Sequence, residues 1–500
     1  MTAEPAAKRH KRERKPLILN FFEALTPVLH APGQWRNPRD QSRNYTQAEY
    51  WIKLAQLAER GKLHALFIGD SLAIYGGYKG PYNYTEAART GNNFPKNDPT
   101  AYLSAIAVST KNISVGLTCS TLTEHPYHFA RRISTLDHIS NGRVGWNVVS
   151  SALPSSGRQL SEGNQLPEKS LRYEKTDDYL QVWYELLLSS WRDDGVVFDR
   201  ENGIFSNPDA IREINYESKW FKVPGPQITE PTKGRIPLVI QAGSSEKGTH
   251  LGAKHGELIF IVGATPESAK EQIEKTKKIA KEKYGRNPDN LKFVCGLRVI
   301  VGKTHEDAIA KAKEIDEYHD LDGALTWLGG TGTDLSPYDW DEDLVDRKDI
   351  DPAVQGLVKN FRFKITEGPI TRRVIAEHIF DSSFIGSAEE VADGIEKFVD
   401  ESGVDGFNFS NVVFPETFED IVDLLVPELQ KRGLAQKEYA VEGGSFRQQV
   451  YGDEKLSFVP EDHYAYGLRW RAGESKEDFE KRLAILKEKQ KDLKILADKD

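Results

Sequence analysis

The sequence predicts an α/β chain: a (β/α)8 TIM barrel with inserted loops and a C-terminal extension. Eight short, almost wholly apolar stretches lie near residues 17, 65, 113, 144, 238, 258, 293 and 406, with helical patterns between most of them. Strands that are apolar on both faces belong to a parallel sheet covered by helices on both sides. Eight such units suggest closure into a barrel. None of these stretches is followed by a complete Gly-x-Gly-x-x-Gly turn, which argues against a dinucleotide-binding domain. A doubly wound open sheet is the alternative.

The elements follow in order. Leu17 to Phe22 reads as a strand, followed by a long loop rich in Pro, Gly and Arg from Pro27 to Arg43. Gln47 to Glu59 reads as a helix, with Thr46 placed to cap it. Ala65 to Ile68 is the second strand, and Tyr75 to Asn97 a polar loop rich in Tyr, Gly and Asn. Asp98-Pro-Thr100 opens a helix to Thr110, with the proline just inside its start. Strands over Ile113 to Ser120 and Val144 to Val149 flank a helix from His125 to Ile139, which Asn141-Gly142 ends. A helix from Tyr173 to Ser190 leads to the strand Leu238 to Gln241 and its helix, Glu246 to His255. Leu258 to Val262 and Phe293 to Val301 read as strands on either side of a capped helix from Thr265 to Tyr284. His305 to Glu317 is helical, and residues 319 to 385 then break the rhythm as an insertion. A helix from Ser387 to Glu401, the strand Gly406 to Phe409 and a helix from Phe418 to Arg432 complete the barrel pattern. The expected division is a disordered basic tail (1–15), a barrel (16–435) and an extension (436–500) ending in a charged helix.

Composition narrows the class. With 38% hydrophobic and 29% charged residues the chain reads as soluble and globular. No apolar run reaches the ~20 residues of a membrane span, and no apolar leader core opens the chain, so no membrane role and a cytoplasmic location are expected. Two cysteines, Cys119 and Cys295, make no disulfide framework. A net charge of −9 argues against a nucleic-acid binder, Lys8 to Lys15 being the one basic run. Met1 is the only methionine, an unusual depletion for a side chain that normally fills core gaps.

The stretch from Pro237 to Glu246 is strand, small-residue turn, helix. Small residues let the backbone approach an anion, and the first N–H groups of a helix point at it. Gly243, Ser244 and Ser245 are therefore phosphate-site candidates; a plain serine N-cap after a strand is the other reading.

Function in a barrel gathers at the C-terminal strand ends. Those ends carry Asp70, Thr118 and Ser120, Asn147, the Gly243 turn and Asn408. Alternation sets Thr118 and Ser120 on one face and Cys119 on the other, against the helices. No His-x-x-x-His, Cys-x-x-Cys or Gly-x-Ser-x-Gly pattern and no clustered carboxylates appear, so no metal is expected. Amides, hydroxyls and one acid suit hydrogen bonding to a heterocycle and a phosphate. Asn147 as a satisfied core amide and Asp70 as a helix cap remain open.

Several motifs then run in order along the chain: Trp35-Arg-Asn-Pro38, Phe67-Ile-Gly-Asp70, Asn97-Asp-Pro99, Thr118-Cys-Ser-Thr121 and Ala130-Arg-Arg132. Leu136 to Ser150, Arg172-Tyr173, Trp191 to Asp194, Gln241 to Ser245, Ile375 to His378 and Gly406 to Phe409 follow. With these the sequence resembles the flavin-dependent monooxygenases of the bacterial-luciferase superfamily, in the nitrilotriacetate and dibenzothiophene-sulfone monooxygenase subgroup. The Leu136 to Ser150 block and Gln241 to Ser245 are the specific parts.

The resemblance implies a barrel that binds reduced FMN (FMNH2) delivered by a separate NAD(P)H-using flavin reductase. It implies that O2 adds at the flavin C4a carbon and that the resulting peroxide oxidises a small organic substrate. Asp70, Thr118, Ser120 and Asn147 would then hold the ring system or ribityl chain. Tyr173, Ser244 and Ser245 would hold the phosphate end. The insertion and the Tyr75 to Asn97 loop become lid candidates, and a homo-oligomer, dimer or tetramer, is expected. Two departures stand out. Glu168 or Lys169 stands where a histidine often precedes the Arg-Tyr pair, and Asn37 replaces another, with His30 as its displaced counterpart. A catalytically weakened flavin-binding scaffold, or a flavin- or deazaflavin-dependent hydride-transfer enzyme, are the alternatives. The resemblance gives no catalytic residue. A polyanionic substrate would want clustered cations, for which Arg36, Arg39, Arg43 and Lys79 are only scattered candidates, and an apolar or aromatic sulfur or carbon substrate is equally open.

Overall fold

The eight apolar stretches form eight parallel strands: β1 (Ile18–Ala24), β2 (Ala65–Gly69), β3 (Ser114–Ser120) and β4 (Val144–Val149), then β5 (Leu238–Gln241), β6 (Leu258–Ile261), β7 (Lys292–Leu297) and β8 (Gly406–Ser410). In this computed structural model they close a barrel in chain order, β8 pairing back onto β1. The structure describes residues 15–160, 163–261, 263, 265–347 and 349–495. The expected basic tail lies outside these, apart from Lys15.

The helices that wrap the barrel form for local reasons. Ala388–Ser402 starts at a capping box between Ser387 and Glu390 and ends at Gly403 in the left-handed region. Its Val391, Ala392, Ile395, Phe398 and Val399 recur at helical spacing and are buried. Pro266–Tyr284 has Thr265 as its cap and Pro266 in its first turn.

Several expectations need correction. The second-strand crossover helix is Ala48–Arg60, capped by Gln47 without a side-chain bond; Thr46 does not cap it. Thr100–Ser109 starts after Pro99, which sits at the N-cap and not inside the helix. The helix carrying Tyr173 begins earlier than expected, at Lys169, because Glu168 caps it through Ser170 N. Phe293 to Val301 is not one strand. The chain leaves the barrel at Arg298, and Val299–Gly302 pairs instead with a strand missing from the sequence reading, Phe384–Ser387.

The insertion folds on a small core of its own. Helices Leu321–Gly330, Pro352–Lys364 and Arg372–His378 bury Leu325, Leu328, Val354 and Ile375 together with Tyr78 from the loop after β2. The C-terminal segment closes the opposite end of the barrel. Phe446 is fully buried with Ile18, Phe67, Ile240 and Val294 inside the strand ring. Its backbone N–H donates to Gly142 O, just before β4 starts, so this is the end where the strands begin. The neighbouring Arg447 makes a two-pronged pair with Glu257, at 2.6 and 2.9 Å. The helix Lys476–Gln490 packs outside through Phe479 and Leu483.

Candidate functional site

The C-terminal strand ends surround a cavity of about 410 Å³. Asp70, Thr118, Ser120, Tyr173, Gly243, Ser244 and Ser245 all line it. Asn147 stands one layer behind: its Nδ2 donates to Thr118 Oγ1 at 2.9 Å. Asn408 is not at this mouth. It is buried within the barrel, where Asn20 Nδ2 donates to its Oδ1 at 2.8 Å. Strand alternation places Cys119 outward as expected, against the helices, and burial pushes its thiol up to about 12.

Each wall has a physical origin. On β3, Ser120 Oγ lies 2.8 Å from Ser151 Oγ and accepts from Leu122 N, which fixes the chain after the strand. The Asp70 carboxylate accepts from Ser71 N at 2.8 Å. Burial pushes its pKa up to about 6, against the pull of Lys96. After β5, Ser245 caps the helix Glu246–His255 by accepting from Gly248 N. The plain N-cap reading is thus realised for Ser245, while Ser244 is exposed to the cavity with no such duty. Ser245 Oγ also donates to the Tyr173 hydroxyl at 3.3 Å. A methyl group at Gly243 or Gly248 would stand 3.1 or 2.9 Å from that hydroxyl oxygen, so both glycines let Tyr173 press against the turn.

Of the two residues expected near the missing histidine, Lys169 lines the cavity and Glu168 does not. Asn37 lies away from the cavity: its Oδ1 accepts from Arg39 N, and it is buried. His30 is half-buried beneath the insertion, stacked on Phe380 at 5.6 Å and beside Trp327. Burial pushes its imidazole down to about 3, which keeps it neutral. Three of the four scattered cations of the sequence reading are engaged away from the cavity. Arg36 donates to Tyr318 O, Arg39 pairs with Glu314, and Lys79 pairs with Glu86.

A second cavity of about 600 Å³ adjoins the first, sharing Asp70, Ser71 and Leu72 with it. Lys96 and Arg158 line it. Both were missed, because a single lysine or arginine in a polar loop carries no motif. Gln241, known from the sequence only as part of a motif, also faces the first cavity.

The family model for luciferase-like monooxygenases matches residues 31–406. The chain belongs to the luciferase-like monooxygenase family. It is 40% identical to the long-chain alkane monooxygenase of Geobacillus thermodenitrificans strain NG80-2, over 91% of this chain and 98% of that one. The crystal structure of a long-chain alkane monooxygenase superposes with a TM-score of 0.82 at 39% identity, covering 91% of this chain and 100% of the other. That of DmoA from Hyphomicrobium sulfonivorans gives 0.85 at 36% identity, over 93% and 98%. Nitrilotriacetate and dibenzothiophene-sulfone monooxygenases are also among the relatives. The chain is accordingly a flavin-dependent monooxygenase, of a family that works with reduced FMN and O2.

The residues present fit a flavin. Asn147 Oδ1 and Gln241 Oε1 are buried and have no hydrogen-bond partner in the protein. Such acceptors are costly unless something donates to them. Neither atom opens onto the cavity, so the fit rests on the Thr118, Ser120 and Ser244 hydroxyls that line it, which would suit a ring edge, and on the small-residue turn at a helix start, which would suit a phosphate.

Proposed function

We propose that this chain is the oxygenase component of a two-component system and oxidises a small organic substrate with O2 and reduced FMN. A separate NAD(P)H-dependent reductase would deliver the flavin. One relative, nitrilotriacetate monooxygenase component A, is named as one part of such a system. The observation that carries the reading is a single cavity joining the Thr118–Asn147 pair to the Gly243–Ser245 turn and Tyr173.

Reduced flavin, when bound, supplies the two electrons that activate O2. The chain's part is to bind, orient and shield. Thr118 and Ser120 take the polar edge of the ring, with Asn147 holding Thr118 from behind and Asp70 as the charged acceptor. Ser244 and the Tyr173 hydroxyl take the phosphate. Tyr75 and Thr331, one from each expected lid segment, reach the cavity wall, and a lid closing there would exclude water. The family match, with relatives named as monooxygenases at 38–40% identity, supports oxygen transfer over hydride transfer. Self-association into a dimer or tetramer and a cytoplasmic location belong to the same proposal. No helix among the described residues is long and apolar enough to cross a membrane.

Anaerobic titration with FMN, reduced and oxidised, followed by admission of air, tests this. Reduced FMN should bind more tightly, and Ser244→Ala with Tyr173→Phe should weaken binding at least tenfold. Failure to bind either form would sink the proposal. Binding followed by immediate, quantitative loss to hydrogen peroxide, whatever substrate is offered, would favour the weakened scaffold.

A further inference from the structure

The cavity beside the flavin site holds a cation that the flavin reading does not use. Lys96 Nζ donates to Ser71 Oγ at 2.9 Å and to Asn93 Oδ1 at 3.2 Å, both neutral acceptors. The Tyr75 ring lies 5.7 Å away. Among the described residues, no carboxylate lies within ion-pair distance of it; Asp70, on the same cavity wall, acts only at longer range. Lys96 keeps some solvent contact because it faces the cavity. Enough protein surrounds it that burial pushes its ammonium down to about 8. A hemmed-in ammonium with a spare donor and no carboxylate in direct contact is only partly compensated. An anion entering the cavity would relieve it.

The rest of the wall says what kind of anion. Leu72, Ile74, Phe94 and Tyr82 give an apolar body, and Arg158 lies over the Tyr82 ring at 4.6 Å, at the exposed rim. Asp70 and Asp98 stand on the same wall, so one enclosed and one rim cation leave room for a single acidic group held at Lys96, not for a polyanion.

We propose that this second cavity is the substrate subsite, and that it takes an organic anion, a carboxylate or sulfonate on an apolar body, with Lys96 Nζ on the acid group and Arg158 at the entrance. This rests on the flavin occupying the adjoining cavity, and it separates this chain from relatives named for an alkane or dimethyl sulfide.

Calorimetric titration of the FMN-loaded protein with hexanoate, hexanesulfonate and methyl hexanoate tests it. The acids should bind about tenfold or more tightly than the ester, the scale of a charge-assisted hydrogen bond. Lys96→Met should erase that preference, and Lys96→Arg should keep part of it. Carboxylate and sulfonate arms show which acid geometry is taken. Equal binding of acid and ester, no binding of either acid, or a preference that survives Lys96→Met would overturn the proposal. The same titrations without FMN, together with FMN binding itself, keep the two readings apart. A protein that takes up no FMN overturns the flavin site, while the acid–ester comparison still decides the anion site.

Discussion

The Asp177 carboxylate accepts from Lys254 Nζ at 2.7 Å, tying the helix that carries Tyr173 to the helix that starts at the Ser245 turn. His255 Nε2 lies 2.7 Å from the same oxygen, and Ile495 N donates to the other at 3.0 Å. Burial pushes the Asp177 carboxyl up, but Lys254 and His255 outweigh it and hold it well below the usual carboxylate range. Burial pushes His255 down to about 4, so the group is one ion pair with a neutral imidazole. Asp177→Asn leaves Lys254 buried without its counter-charge and should cost about 3–5 kcal/mol in denaturant unfolding at pH 7. The double variant Asp177→Asn, Lys254→Met should cost less than the single one. The depressed folded pKa means this stability is present above the ordinary carboxylate range, about pH 4, and is lost as pH falls below it. A single variant as stable as wild type at pH 7 would remove the clamp from the account.

Phe446 acts at the other end of the barrel. Its ring fills the space over Gly145, where a Cβ would lie 2.9 Å from it. Phe446→Ala opens a cavity among Ile18, Phe67 and Ile240 and should cost about 3–5 kcal/mol. Gly145→Val drives a side chain into the ring and should also destabilise. Thermal melts of both variants, with FMN affinity measured beside them, check this. A melting temperature within a degree or so of wild type for Phe446→Ala would show that the C-terminal segment does not seal the barrel.

The barrel was legible because its signal is local: all eight strands are mostly apolar runs, and all eight formed at the expected places, the seventh ending at Leu297 and not at Val301. The mouth was legible for the same reason, since strand ends name their own C-terminal residues. What stayed hidden depends on contacts distant in sequence. Phe384–Ser387 is a strand only because Val299–Gly302 lies beside it. Phe446 looks like any helical apolar residue until the ring of strands surrounds it. Asn408 sits at a strand end in sequence, yet Asn20 across the β1–β8 pair draws it inward. Lys96 gains its meaning from a cavity, and no spacing encodes a cavity.

Tyr78 joins the loop after β2 to the insertion. Its hydroxyl donates to Asp322 Oδ1 at 2.5 Å and accepts from Arg372, whose guanidinium lies 4.0 Å over the Trp340 ring. Tyr78→Phe keeps the packing and removes the bridge. Leaving two charged groups without it should cost roughly 1–3 kcal/mol locally. Limited proteolysis should cut the variant faster between residues 319 and 378, with FMN affinity unchanged. Unaltered cleavage there would mean the two segments do not hold each other.

Asp70 links stability to the site. Its folded pKa, about 6, lies above the ordinary carboxylate value, so the folded chain holds the proton more tightly than the unfolded one. Ionising it therefore weighs against folding at and above pH 6, and that penalty disappears as pH falls to about 4, where the unfolded chain also takes up the proton. Asp70→Asn should thus raise the melting temperature of the FMN-free protein at pH 8, with the gap closing towards pH 4. FMN binding should move the other way. If the ionised carboxylate accepts hydrogen bonds from the flavin, wild-type affinity falls as pH drops through about 6, whereas the Asn variant binds more weakly and shows no inflection there. A group that destabilises the empty site and strengthens the filled one is what a binding role requires. A variant that is less stable at pH 8 and binds FMN as well as wild type would make Asp70 a structural cap and nothing more.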